Sequence, residues 1–193
     1  MIKIVFIQEE EMRIIGIDPG YAIMGWAVLD LEGNHFKAVD YGVVTTDAGV
    51  PMSLRLQHLY AELLAIIGQY KPGEAGIEEL FFNTNAKTAI GVGEARGVAM
   101  LACVNSGLEV SEYTPLQIKQ ALVGYGRADK KQVQAMVKAI LNLEKSPRPD
   151  DAADAAAAAI CHGHSRLGRK QNERLQELLK GELPKGFRIR KGI

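Results

Sequence analysis

Cysteine is almost missing from this chain. Cys103 and Cys161 are the two in 193 residues, which excludes a disulfide framework and a short-spaced thiolate metal site. Such scarcity fits a reducing cytoplasm, the expected location. No stretch approaches the roughly 20 apolar residues that a bilayer span requires. The opening MIKIVFIQEEE has a short apolar run followed by acids, with no small-residue cleavage site, so it is not expected to act as a signal peptide. Net charge is also lacking: 23 Lys and Arg balance 23 Asp and Glu, so overall basicity does not announce a nucleic-acid partner. The distribution is uneven, however. Residues 12–165 carry 13 basic residues against 17 acidic ones, whereas residues 166–193 carry 9 against 3. The basic end is either a phosphate-seeking tail or a merely solvated one. The acid excess of the body requires an explanation of its own.

What is present is a soluble-type composition, 47% hydrophobic and 24% charged, long enough for one substantial core. Residues 13–18 (RIIGID) read as a buried strand stopped by Pro19-Gly20, and 24–30 and 36–45 as two more strands separated by the turn Glu32-Gly33-Asn34. Three strands with short connections predict an antiparallel meander. A helix is expected from Ser53, a candidate N-cap, to Tyr70, with Leu56, Leu59, Leu63, Ile66 and Ile67 as its apolar stripe. A strand over 75–80, an Ala- and Gly-rich helix over 85–105 and a strand over 108–113 follow. The small residues of that helix allow close helix–helix approach, inside the domain or across a dimer. Pro115 opens a short helix to Val123, Asp129 caps another to Leu143, and Asp150 starts an Ala-rich helix to His162 after the Pro147-Arg148-Pro149 break. Residues 172–180 have the pattern of a short amphipathic helix. The order predicts an α/β domain with a mixed sheet over 12–165, preceded by an extension (1–11, an upstream start or appended residues) and followed by a basic tail (166–193).

The anomaly lies in where the carboxylates fall. Asp18 ends an apolar strand, Glu78 interrupts another, and Asp151 and Asp154 stand at i, i+3 on a helix that is otherwise mostly alanine. An ionised carboxylate in such surroundings is costly unless it is paired or metal-bound. Each has an ordinary reading: a turn residue, an edge-strand residue, acids favoured at a helix N-terminus. Together they are better explained by one site. Oxygen ligands without clustered His or Cys favour Mg²⁺ or Mn²⁺ over zinc. Two such ions about 3.5–4 Å apart suit phosphodiester hydrolysis, with no Ser, Cys or His nucleophile. Glu79 is expected on the opposite face from Glu78 by strand alternation. Asp150 also shares a face with Asp154 at i, i+4, so helix geometry leaves 150 and 151 open.

The segments GIDPG (16–20), GIEELFFNTN (76–85), GEARGVAM (93–100) and DAADAAAAAICH (151–162) resemble, in order and spacing, the RuvC family of Holliday junction resolvases. The resemblance covers about residues 12–165. It implies an RNase H-like fold, a five-stranded mixed sheet with helices on both faces, and places the family's four metal-binding carboxylates on Asp18, Glu78, Asp151 and Asp154. Asp150 is then a capping or supporting residue. It implies a DNA-facing aromatic at Phe81, with Phe82 as its rival, and basic positions at Lys119 and Lys130. Arg127 and Lys131 either extend that surface or are ordinary solvated charges, and His162 and His164 are read as structural. The implied activity is a homodimeric, Mg²⁺-dependent endonuclease, two ions per site, that resolves four-way DNA junctions by paired nicks. The implied partners are the branch-migration proteins RuvA and RuvB.

Overall fold

The computed structural model describes residues 11–79 and 86–179, and within these only the backbone of 86–88, 170 and 173–179. Ten elements follow one another: β1 (Met12–Asp18), β2 (Ile23–Glu32), β3 (His35–Thr45), α1 (Met52–Tyr70), β4 (Glu74–Glu78), α2 (Ala86–Asn105), β5 (Glu109–Tyr113), α3 (Pro115–Val123), α4 (Lys130–Ile140) and α5 (Asp150–Leu179). The sheet order is β3-β2-β1-β4-β5. The expected meander forms, with β1–β2 and β2–β3 antiparallel, and β4 and β5 then add in parallel beside β1. No helix among the described residues is long and apolar enough to cross a membrane.

Strand alternation divides the core into two layers. Ile15, Ile17, Val28, Ala75 and Ile77 face α1 and α2, packing on Leu59, Leu63, Ala95 and Ala99. Ile14, Ala27, Leu29 and Tyr113 face α3, α4 and α5. Each fully buried Ile or Leu in these layers contributes roughly 1.5–3 kcal/mol. The closest packing lies under α5, where every residue from Ala152 to Cys161 except Asp154 is buried to within 1%. Strand glycines make room for it. A Cβ on Gly16 would stand 2.0 Å from the carbonyl oxygen of Ala155, one on Gly25 2.0 Å from that of Asp151, and one on Gly76 2.8 Å from the Cβ of His162.

Some boundaries differ from expectation. Ser53 does not cap α1: the N-cap is Pro51, whose carbonyl already accepts from Leu54 and Arg55, so Ser53 lies within the first turn. Asp129 does cap α4, in a reciprocal pairing with Gln132, and Thr114 pairs in the same way with Gln117 ahead of Pro115. The α4 helix ends at Ile140, three residues early. The α5 helix does not end near His162 but continues unbroken to Leu179, absorbing most of the segment expected as a separate amphipathic helix. Neither proline nor a glycine cap interrupts it there, and Gly163 is itself held against Phe36.

Because the atoms opposite Gly16 are backbone atoms that cannot step aside, Gly16→Ala should lose about 3 kcal/mol or more of stability. Gly68→Ala, on an open face of α1, should gain about 0.5–1 kcal/mol from helix propensity. Urea denaturation midpoints would report both, and an unchanged midpoint for Gly16→Ala would contradict the close seating of α5.

Candidate active site

Alternation along β1 sends Ile14, Gly16 and Asp18 toward α5, and along β4 it does the same for Glu74, Gly76 and Glu78. The parallel register pairs Ile17 with Ile77, so one residue further on Asp18 and Glu78 stand side by side at the carboxyl ends of adjacent strands. Ligand sites in open α/β sheets favour this edge. Helix α5 crosses above them with its first turns near Gly25, the antiparallel partner of Asp18, which brings Asp154 over the strand ends. Asp18, Glu78 and Asp154 border one cleft of about 440 Å³, with Lys119 of α3 and Lys130 of α4 on its wall.

The cleft holds more negative charge than its surroundings neutralise. Burial, then the charges of Glu78, Asp154 and Asp151, push Asp18 up to about 8, against the opposing pull of Lys130. Glu78 is pushed up to about 7 by burial and by Asp154. Asp154 is raised by burial too, although its bond to Lys130 works the other way. The Lys130 ammonium lies 2.9 Å from Asp154 and 3.5 Å from Asp150. Its own burial would weaken its charge, but those two partners outweigh that and hold it above the usual lysine range. Two ammonium groups, Lys130 and the Lys119 that acts on Glu78, do not compensate the carboxylates, so this donor set fits added divalent cations with oxygen ligation. The described residues contain no group of three His, Cys, Asp or Glu already closed into a metal clasp, so the fit rests on this charge imbalance.

Of the remaining candidates, Asp151 does not line the cleft wall, yet its charge acts on Asp18. Asp150 turns outward to Lys130 and Arg148. Glu79 borders the cleft beside Glu78, and its backbone N–H continues the pairing with β5 by donating to the Tyr113 carbonyl at 2.8 Å. Arg127 and Lys131 are exposed and lie off the cleft wall. Phe81 and Phe82 lie outside the described residues. His162 is fully buried at the far end of β4, its Nε2 2.6 Å from Glu74 and its Nδ1 3.0 Å from the Tyr113 hydroxyl, while Arg166 donates to Glu74 at 2.8 Å. His164 is exposed, with Nδ1 3.2 Å from the Ala121 carbonyl.

Residues 14–162 match the model of the family described as Crossover junction endodeoxyribonuclease RuvC. The chain belongs to the RuvC family. A relative of that name from Alkaliphilus oremlandii is 58% identical over 154 residues, covering 80% of this chain and 94% of its own. Thermus thermophilus RuvC is 36% identical, with a TM-score of 0.76 over 81% of this chain and 97% of its own. The T. thermophilus protein solved in complex with Holliday junction substrate matches at 34% identity and TM-score 0.78, over 82% and 96%. The five-stranded mixed sheet flanked by helices is thus the RNase H-like arrangement that the resemblance implied.

A carboxyl group raised above its unfolded value destabilises the fold as pH climbs from that value toward the raised one. At pH 8 and without divalent cation, Asp18→Asn should therefore melt several degrees higher than wild type, and the gain should shrink toward pH 5. Added divalent cation should stabilise wild type more than the variant. A lower melting temperature for Asp18→Asn at pH 8 would contradict the charge imbalance.

Proposed function

We propose that this chain is a structure-specific endonuclease that resolves four-way DNA junctions by paired, symmetric nicks, in recombination and repair. The observation that carries this reading is the convergence of Asp18, Glu78 and Asp154, from three separate elements, on one cleft that also presents Lys119 and Lys130. Asp18, Glu78, Asp151 and Asp154 would hold two divalent cations, Mg²⁺ with Mn²⁺ as substitute. When bound, such ions supply Lewis acidity and lower the pKa of water at a phosphodiester. The protein's own part is to place the phosphate. Lys119 and Lys130 offer ammonium groups on the cleft wall, and Arg127 and Lys131 extend the positive surface along the α3–α4 connection. Phosphate contacts of this kind fix register without reading bases. Phe81 or Phe82 would stack on an unpaired base at the branch point, an interaction worth about 1–3 kcal/mol. Cleavage leaves a 5′-phosphate and a 3′-hydroxyl.

Two symmetric nicks require two symmetric sites, so the working unit is a homodimer. Helix α2 supports this: Ile90, Leu101 and Val104 are 67%, 52% and 58% exposed, and with Gly97, open to solvent, they form one stripe. The nuclease unit spans 12–165, the tail 166–193 supplies further basic contacts, and RuvA and RuvB are the branch-migration partners.

On a labelled synthetic four-way junction with Mg²⁺, wild type should make paired nicks and leave the linear arm intact. Asp18→Asn, Glu78→Gln and Asp154→Asn should each be slower by about 100-fold or more. Equal cutting of duplex or of an RNA–DNA hybrid would overturn the reading. Leu101→Lys should yield a folded monomer by light scattering that no longer pairs its nicks; a persistent dimer would move the interface off α2.

A further inference from the structure

The turn that follows Asp18 is held from behind by residues that the cleft does not contain. Tyr21 lies three residues beyond Asp18. Its carbonyl accepts from the Thr46 hydroxyl at 2.5 Å and from Arg55 Nη2 at 3.1 Å. Arg55 Nε in turn donates to Thr46 Oγ1 at 2.8 Å, and the Thr46 amide donates to the Ala22 carbonyl at 2.9 Å. The guanidinium also lies over the Tyr21 ring, 4.8 Å from its centre. Arg55 itself is 7% exposed on α1, and among the described residues its donors go to the Tyr21 carbonyl and to Thr46 Oγ1 rather than to a carboxylate. On the α2 side, Gly91 faces the same ring: a Cβ there would stand 2.9 Å from Tyr21 Cδ1 and 3.2 Å from Met52 Cε. The turn has little freedom of its own, since Pro19 is buried and a Cβ on Gly20 would lie 2.0 Å from the Ile23 carbonyl oxygen.

We propose that Arg55 and Tyr21 are positioning residues for the reaction, clamping the turn Pro19–Ala22 between α1 and α2 so that the Asp18 carboxylate is held at its place in the cleft. This rests on Asp18 acting as proposed above. A buried arginine is an expensive means of stapling a loop when an apolar side chain would pack as well. Its planar fork instead fixes an orientation, because two of its nitrogens meet two acceptors, the Tyr21 carbonyl and Thr46 Oγ1, that are themselves hydrogen-bonded to each other. The Tyr21 ring carries that orientation to α2, which also lines the cleft through Val92. A displacement of Tyr21 has only the proline and the tight Gly20 in which to be absorbed before it reaches Asp18.

The discriminating variant is Gly91→Ala. It adds a methyl group 2.9 Å from the Tyr21 ring while improving the helix propensity of α2, so a purely structural contact predicts a melting temperature shifted by overpacking or by propensity, with catalysis unchanged. The clamp predicts, in protein that remains folded and dimeric at the assay temperature, junction affinity within about twofold and kcat for junction cleavage lower by about tenfold or more. The Mg²⁺ concentration for half-maximal rate should rise with it. Thr46→Val should behave alike and Thr46→Ser should restore wild-type values. Arg55→Met should show the largest loss of kcat, and if it does not fold, the Gly91 and Thr46 variants decide. Wild-type kcat and Mg²⁺ dependence in Gly91→Ala and Thr46→Val would overturn the clamp. An Asp18→Asn protein that still cleaves would instead overturn the site on which the clamp rests.

Discussion

The contact on which the rest of the structure depends is the seating of α5 on the sheet. A helix normally stands off a sheet by the length of its side chains, about 10 Å between layers. Here alanines face strand glycines, so backbone meets backbone: Gly16 under Ala155 and Ala159, Gly25 under Asp151, Gly76 under Ala158 and His162. With so short a separation, a side chain as small as aspartate on α5 can share a cleft with carboxylates that rise directly from the strands. Bulkier residues on either side would lift the helix and open the distance between Asp154 and the pair Asp18 and Glu78.

The two ends of β4 show how the same face treats charge in opposite ways. Glu74 and Glu78 are four residues apart and both point at α5. Burial alone would raise Glu74, yet Arg166 and His162 bond to its carboxylate and hold it below the usual range. Burial also keeps His162 below its ordinary value, despite Glu74. With Nε2–H donating to Glu74, Nδ1 is free to accept from the Tyr113 hydroxyl. That end is an internally balanced network that ties α5 to β4 and β5. At the other end Glu78 meets Asp18 and Asp154, and Lys130 is shared among them. Stability is assembled at one end of the strand and an unmet demand for cations at the other, a division expected when a fold carries a reactive site.

Much of the site could be read from residues alone. Asp18 and Glu78 stood out because they break apolar strands, and Asp151 and Asp154 because they interrupt alanine. The glycines in β1, β2 and β4 were visible, but strand patterns say nothing of which helix lies above them. The outer limits of helices were least legible: Ser53 resembled a cap until Pro51 took the position, and nothing in the residues after His162 signals whether a helix continues into a charged segment.

By itself, then, the sequence determined the course of the strands and the helix starts at Pro115 and Asp129, which local spacing encodes, and it singled out Asp18, Glu78 and Asp154, whereas the choice of 151 over 150 came from the family resemblance. Tertiary structure alone decided which carboxylates share the cleft, that Lys130 bridges Asp150 and Asp154, and that Arg55 reaches Tyr21 from α1. These are contacts between residues as many as 136 positions apart, such as Asp18 and Asp154. Their distances follow from how closely two layers pack, a property of the facing surfaces together that neither segment contains on its own.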